Sequence, residues 1–191
     1  MFAIYLELGF DHILDLNGYD HIVFLIALCA MYTLKEWRQV LVLVTAFTIG
    51  HSITLALSAL DIVTVKASLI ELLIPITILI TALQNLFTKP DNIRRWGPNY
   101  LLALSFGFIH GMGFSNYFKA LLGKEADIIT PLFAFNVGVE LGQLCIVAAI
   151  MVINLVVVRF AKLKQRNWTI AVSLIAAVLA VYMISQRIFD L

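Results

Sequence analysis

Six apolar stretches, separated by short polar breaks, make up most of the chain and restrict it to one kind of fold. A helix needs about 20 apolar residues to cross the hydrocarbon core of a bilayer, and lipid admits only helices or closed barrels because every backbone polar group must be paired internally. The sequence therefore predicts an all-α, polytopic membrane helix bundle in a single domain, residues 1–191, with a short N-terminal interfacial segment. The predicted membrane helices lie near residues 20–35, 38–60, 66–88, 98–119, 129–159 and 167–187.

The composition supports a membrane protein and excludes a nucleic-acid-binding one. The chain is 62% hydrophobic and 13% charged, whereas soluble domains average about 45–50% apolar and about 25% charged residues. Its net charge of +1 offers no basic surface for nucleic acid. The lipid bilayer is therefore the one large partner that the sequence predicts, and it identifies no protein partner.

Basic residues between the apolar stretches predict the orientation in the membrane. Short loops rich in Lys and Arg stay on the cytoplasmic side. The loops near residues 35–38, 89–95 and 159–166 hold nine of the 13 Lys and Arg residues. We therefore expect these loops in the cytoplasm and both termini outside.

Histidines and carboxylates lie inside or beside the apolar stretches, where lipid penalises them. Such groups normally face a bundle interior or a water-filled cavity, and they often mark ion or proton paths. At a rise of about 1.5 Å per residue, those within the predicted helices fall in the outer half of the bilayer. We therefore predict one shared metal site, open to the outside. Its predicted ligands are His21, His51, His110, Asp20, Glu140, Glu71 and His12.

Polar residues that share helix faces with these ligands are predicted to orient them. Asn136, Glu140 and Gln143 recur at spacings of four and three, which places them on one helix face. Metal-binding side chains usually need such hydrogen-bonding partners. The predicted partners are Asn136, Gln143, Thr54 and Ser52.

Three carboxylates in the N-terminal segment, Glu7, Asp11 and Asp15, recur every fourth residue. That spacing puts them on one face of a helix. It predicts the solvated side of an interfacial helix, with attraction of cations as a secondary effect.

The predicted cofactor is a divalent transition metal. Neutral imidazoles and carboxylates suit Ni, Zn, Co or Fe, and the donor set does not choose among them. The two cysteines, Cys29 and Cys145, lie within apolar runs. They are interpreted as small buried hydrophobic residues, so no thiolate ligand is expected.

Several motifs together resemble the HupE/UreJ family of bacterial membrane proteins. In the family's order they cover most of residues 8–145: HILDLNGYDHIVFLIAL, FTIGHSITLAL, the span around IEL and ALQN, FGFIHGMGF and FNVGVELGQL. The resemblance implies a multi-pass protein of the bacterial inner membrane that handles nickel or a related metal. The first motif is similar to the histidine–spacer–Asp-His signature of nickel and cobalt permeases. That signature maps onto His12, Asp20 and His21, with a longer spacer, ILDLNGY, than is usual in the family.

Two functions remain open at this point, and the histidines also have a purely structural interpretation. The first function is metal binding and transport, which a polar path across the whole membrane would favour. The second is an intramembrane hydrolase, in which a metal lowers the pKa of bound water and Glu140 or Glu71 acts as general base. A closed cytoplasmic half beneath an open outer pocket would favour the hydrolase. In the structural interpretation, His51 and His110 only join helices by hydrogen bonds.

Overall fold

The fold is all-helical, as predicted, in the part of the chain that the computed structural model describes. That part comprises residues 1–63, 65–88, 96–123 and 128–188, with residues 96–98 described by their backbone alone. The helices are α1 (Phe2–Leu14), α2 (Asp20–Cys29), α3 (Trp37–Ala59), α4 (Ala67–Phe87), α5 (Trp96–Leu122), α6 (Ile129–Phe160) and α7 (Gln165–Arg187), with a 3-10 turn at Leu34–Glu36.

Among the described residues, four helical segments are long and apolar enough to cross a membrane, so the predicted total of six is not confirmed. Helix α5 is 27 residues long, but His110, Ser115 and Asn116 interrupt its apolar run, and it is not one of the four. The four segments are Leu34–Ala59, Ala67–Phe87, Ile129–Phe160 and Gln165–Arg187.

The predicted first membrane helix, residues 20–35, is wrong in extent. Helix α2 has only 10 residues, about half the length that a bilayer crossing requires. It begins after a non-helical turn, in which the backbone amide of Asn17 donates to Asp15 Oδ1 at 2.8 Å. Asn and Gly in this turn favour a chain reversal or break over a continuing helix.

Helices α1 and α2 together traverse the bundle as one broken element. Helix α1 runs parallel to α6, because Phe2 packs near Phe133, with ring centroids 6.4 Å apart, while Ile13 reaches Gly142. Helix α2 then continues to the other end of the bundle, where Thr169 donates to the carbonyl of Ala30 at 2.9 Å. The predicted interfacial segment is therefore a helix packed against α6 rather than one lying apart from the bundle.

We name the two ends of the bundle by the chain segments that lie there. Arg187, at the end of α7, pairs with Glu71 near the start of α4. This end also holds the start of α1, and we call it the terminal end. The opposite end holds the turns at residues 30–36 and 161–164.

Glycines bring two pairs of helices into backbone contact. Between α1 and α6, a Cβ on Gly9 would lie 2.0 Å from the Phe135 carbonyl oxygen. Between α3 and α5, a Cβ on Gly107 would lie 2.1 Å from the Phe47 carbonyl oxygen. No larger residue fits at these separations, which small residues permit in membrane bundles.

The close crossings position histidines. Gly9 precedes His12 by one turn on α1, and Gly107 precedes His110 by one turn on α5. On α3, Gly50 directly precedes His51, and a Cβ there would lie 2.3 Å from a carbonyl oxygen of α5. The helices that carry these histidines are therefore held at fixed short distances.

Candidate metal site

Three histidines from three different helices converge inside the bundle. His12 of α1, His21 of α2 and His51 of α3 each offer a ring nitrogen within 4.8 Å of the others. The ring centroids of His12 and His21 are 4.6 Å apart. A metal–imidazole bond is about 2.0–2.1 Å long. At this spacing, three rings could bind one ion if they moved slightly towards it.

The fourth histidine, His110 of α5, lies beside this group. Its ring centroid is 5.2 Å from that of His21. Its Nδ1 lies 3.0 Å from the carbonyl oxygen of Phe106, one turn earlier. If Nδ1–H donates to this carbonyl, Nε2 carries the free lone pair, which is the arrangement that a metal-binding histidine needs.

The ring nitrogens of the four histidines are short of hydrogen-bond partners. His51 and His110 are 0% and 1% exposed, and buried polar atoms in proteins are nearly always hydrogen-bonded. An unmatched buried polar group costs about 1–3 kcal/mol, so a group of several could be stabilised by an ion or by water. The buried atoms without a hydrogen bond include Nε2 of His12, His21 and His110 and both ring nitrogens of His51.

Asp20 lies beside His21, at the first residue of α2. Its Oδ1 is 3.0 Å from His21 Nδ1 and also accepts the backbone amide of His21 at 2.8 Å. A carboxylate on one ring nitrogen orients the imidazole and leaves the other nitrogen for a metal. The predicted ligand Asp20 is therefore placed as the partner of a histidine.

A cavity of about 900 Å³ opens beside the cluster, between α1, α4, α5 and α7. His12, His21 and His110 line it, whereas His51 lies behind them. Residues 15–18 of the turn between α1 and α2 also line the cavity, which accounts for a break in helical structure inside the bundle. Irregular backbone is tolerated at membrane depth where it borders a water-filled space.

Carboxylates from several elements face the same cavity. Asp11 and Asp15 of the predicted acidic helix face line it, together with Glu71. Glu71 Oε2 is 2.7 Å from Arg187 Nη1, so its charge is already matched by a guanidinium. The spacing of Glu7, Asp11 and Asp15 in the sequence indicated a solvated face, and of these three Asp11 and Asp15 line the cavity, whereas Glu7 does not.

Glu140 lies apart from the histidine cluster. Its Oε1 accepts a hydrogen bond from Thr45 at 2.6 Å, on the exposed side of the contact between α3 and α6. Gln143, one turn further, accepts from Thr48 at 2.9 Å in the buried part of the same contact. Neither carboxylate predicted as a general base, Glu140 or Glu71, belongs to the group of converging ligand atoms among the described residues.

The remaining residues that were predicted to orient the ligands donate hydrogen bonds to backbone carbonyls of their own helices. Thr54 Oγ1 donates to the His51 carbonyl at 3.0 Å, and Ser52 Oγ donates to the Thr48 carbonyl at 2.7 Å. Asn136 Nδ2 donates to the Leu132 carbonyl, but its Oδ1 is buried without a hydrogen bond of normal geometry. The Asn136 side chain also interacts with the His51 ring.

Aromatic rings around the histidines were not predicted. Phe114 lies over His12 with ring centroids 4.0 Å apart, and Phe135 stacks on His51 at 6.3 Å. Their apolar faces exclude water from the ring nitrogens on those sides. The sequence signals were their positions, four residues after His110 and one residue before Asn136.

Comparison with protein families gives a match over nearly the whole chain. The sequence model of the family described as HupE / UreJ protein matches residues 1–187. The match spans every helix described above and all four histidines. No curated protein and no solved structure was found to match the chain.

Proposed function

The chain belongs to the HupE/UreJ family, and from this membership and the histidine cluster we propose that it binds a divalent transition-metal ion and carries it across the bacterial inner membrane. The family suggests metal handling in membranes, with nickel as the first ion to test. The observation that carries the proposal is the convergence of His12, His21 and His51 from three helices, with ring nitrogens that lack partners.

Each nearby residue has a role in this proposal. His12, His21 and His51 bind the ion, and His110 Nε2 supplies a fourth nitrogen as the ion moves along the cavity floor. Asp20 holds the His21 ring through Nδ1. Imidazole ligands suit Ni, Co, Zn and Fe alike, so the selectivity depends on the geometry and on the supply of metal.

The proposed orientation places the terminal end outside the cell. The excess of basic residues in the loops of the opposite end favours this orientation. The cavity then opens to the outside, and Asp11 and Asp15 on its wall raise the local concentration of cations. A reporter domain that is active only outside the cytoplasm should be active when it is fused to the C-terminus. An expressed but inactive fusion would reverse the proposed direction of entry.

A metal-dependent hydrolase is the second candidate, and two observations favour it. At about 900 Å³ the cavity is within the range of pockets that hold organic ligands, and packed phenylalanines such as Phe24 and Phe106 separate it from the opposite end. The two carboxylates predicted as general base weigh against it, because Glu71 is paired with Arg187 and Glu140 with Thr45, although Asp11 and Asp15 do line the cavity. We favour metal transport because the family membership supports it.

Metal titration of the purified protein tests the binding step. Wild-type protein in detergent should bind Ni(II) with a stoichiometry that His51→Ala reduces. Asn154→Ala is a matched control, because Asn154 is a buried polar residue that bonds Gln165 far from the cluster. Wild-type protein that binds none of Ni(II), Co(II), Zn(II) and Fe(II), or equal binding by His51→Ala and wild type, would contradict the proposal.

A further inference from the structure

A layer of three phenylalanines closes the bundle directly beneath the histidines. Phe24 of α2, Phe47 of α3 and Phe106 of α5 are all buried. The ring centroid of Phe24 is 5.1 Å from that of Phe47 and 5.7 Å from that of Phe106. The layer touches the cluster, because Phe24 and His110 have ring centroids 5.3 Å apart.

A second, smaller chamber lies on the other side of this layer. It has a volume of about 30 Å³, which is enough to hold a water molecule. Phe106 forms part of its wall, so the aromatic layer separates the chamber from the large cavity. The polar side chains that line the chamber are Tyr32, Thr81, Gln84, Asn85 and Asn99.

The polar side chains of the chamber offer oxygen atoms in place of imidazole nitrogens. Gln84 Nε2 donates to Asn99 Oδ1 at 3.4 Å, and Asn99 Nδ2 donates to the Tyr32 hydroxyl at 3.1 Å. The side-chain oxygen of Gln84 and the remaining lone pair of the Tyr32 hydroxyl are then left as acceptors. Neutral oxygens bind transition metals more weakly than imidazoles do, which suits a position from which an ion leaves.

The large cavity, the phenylalanine layer and the small chamber follow one another along the same helices. On α5, His110 lines the cavity, while Phe106 and Asn99 line the chamber. The distance from His110 to Asn99 along the helix axis is about 16 Å at the standard rise per residue. On α2, His21 lines the cavity and Leu28 the chamber, with Phe24 between them.

We propose that Phe24, Phe47 and Phe106 form the gate of an ion path, and that the polar chamber beneath them is its exit station. This inference rests on the proposed transport function. Apolar constrictions block ions by excluding water, because an ion cannot shed its hydration without replacement ligands. Rotation of one ring would join the large cavity to the chamber. The closed layer prevents ions from leaking across the membrane between transport events.

Accessibility of the chamber tests the gate without any reference to metal transport. In a background with Cys29→Ala and Cys145→Ala, Thr81→Cys places a thiol in the chamber. Silver ion, a small thiol-reactive cation, is added from the terminal side of oriented membrane vesicles, and the remaining thiol is counted with a maleimide after denaturation. The intact layer should protect the thiol, and Phe24→Ala or Phe106→Ala should raise its rate of modification at least about tenfold.

Matched variants separate opening of the gate from general loosening of the fold. Phe118→Ala removes a ring that is equally buried but lies outside the layer, and it should leave the thiol protected. Phe24→Leu and Phe106→Leu serve if the alanine variants do not fold, as judged by elution in gel filtration. Equal modification in wild type, the control and the layer variants, or equal protection in all of them, would overturn the gate.

Metal flux separates this proposal from the function on which it rests. In vesicles that contain a nickel-sensitive dye, Gln84→Leu and Asn99→Leu should slow Ni(II) entry while Ni(II) binding at the histidines stays unchanged. If the wild type binds Ni(II) but none enters, and the layer variants still protect the thiol, the gate is wrong and the binding site stands. If silver reaches the thiol only in the layer variants but no metal binds, the proposed function is wrong and the barrier stands.

Discussion

The two ends of the bundle both bury polar side chains, but they satisfy them differently. At the opposite end, Arg166 Nη1 donates to the carbonyls of Asn85 at 2.9 Å and Thr88 at 3.1 Å, and so caps the end of α4. Asn85 Nδ2 in turn donates to the Ala27 carbonyl at 2.7 Å. The donors of this network are matched to the carbonyls that the ends of α2 and α4 leave open.

The histidine cluster towards the terminal end follows the other pattern. His51 is fully buried, and neither of its ring nitrogens makes a hydrogen bond of normal geometry, although the Asn136 side chain interacts with the ring. Buried polar groups in native proteins are usually paired, as Arg166 and Asn85 are at the opposite end, although Gln39 Oε1 and Trp168 Nε1 there are not. The two regions therefore differ in how many unpaired ring nitrogens lie together, more than in the number of buried polar residues.

The largest difference between the two regions should appear in metal affinity. His21→Ala removes a metal bond and the anchor for Asp20, so the affinity for Ni(II) should fall at least about 100-fold, in the upper part of the range seen when supporting residues of metal sites are lost. Isothermal titration measures the change. A variant that binds as tightly as the wild type would place the site elsewhere.

Stability should respond most strongly at the opposite end. Arg166→Ala leaves several carbonyls without their charged donor, and hydrogen bonds to charged groups are worth about 1.5–3 kcal/mol each. The free energy of unfolding should fall by about 3 kcal/mol in a reversible assay in detergent, with the affinity for Ni(II) unchanged. A loss of affinity with no loss of stability would erase the distinction between the two regions.

The pH should affect the two regions unequally. An imidazole must be neutral to bind a metal, so protons compete with the ion for each histidine. The affinity for Ni(II) should therefore fall as the pH is lowered, at least about tenfold per pH unit once the pH is below the pKa of the ligands. Titrations from pH 8 down to the lowest pH at which the protein stays folded measure this slope, and an affinity that rises as the pH falls would argue against histidine ligands.

The smallest predicted effect is also the most diagnostic. His51→Leu replaces two unpaired ring nitrogens with an apolar side chain of similar volume, which removes the cost of burying unmatched polar atoms. The metal-free protein should therefore gain about 1 kcal/mol of stability while it loses metal affinity. A large loss of stability would instead show that His51 helps to hold the helices together.

The sequence predicted residue types and depth better than lateral position. The permease-like motif linked His12 to Asp20 and His21, and the count of residues along each helix gave His21, His51 and His110 a similar depth. The convergence of His12, His21 and His51 agrees with both arguments. Glu140 was assigned to the same site by depth, yet it bonds Thr45 on an exposed side of the bundle. The depth of a residue along its helix does not determine which neighbouring helix its side chain contacts, because that depends on how the other helices pack.

The early end of α2 was missed for a related reason. Residues 20–35 were interpreted as one apolar run, and the start at residue 20 is correct, but α2 ends at Cys29. The signal was the pair Thr33 and Glu36, which forms a capping box at the start of the next helical turn. Counting hydrophobic residues gives this pair little weight, because a membrane crossing is normally assumed to be a single helix.

The glycine contacts between α3 and α5 have a consequence for the behaviour of the site in different membranes. Helices that touch through flexible side chains can slide or tilt when bilayer thickness changes. At Gly50 and Gly107 the backbones already touch, so closer approach meets steep repulsion. The backbone contact therefore fixes the distance between His51 and His110. The arrangement of their ring nitrogens should stay the same in bilayers of different thickness.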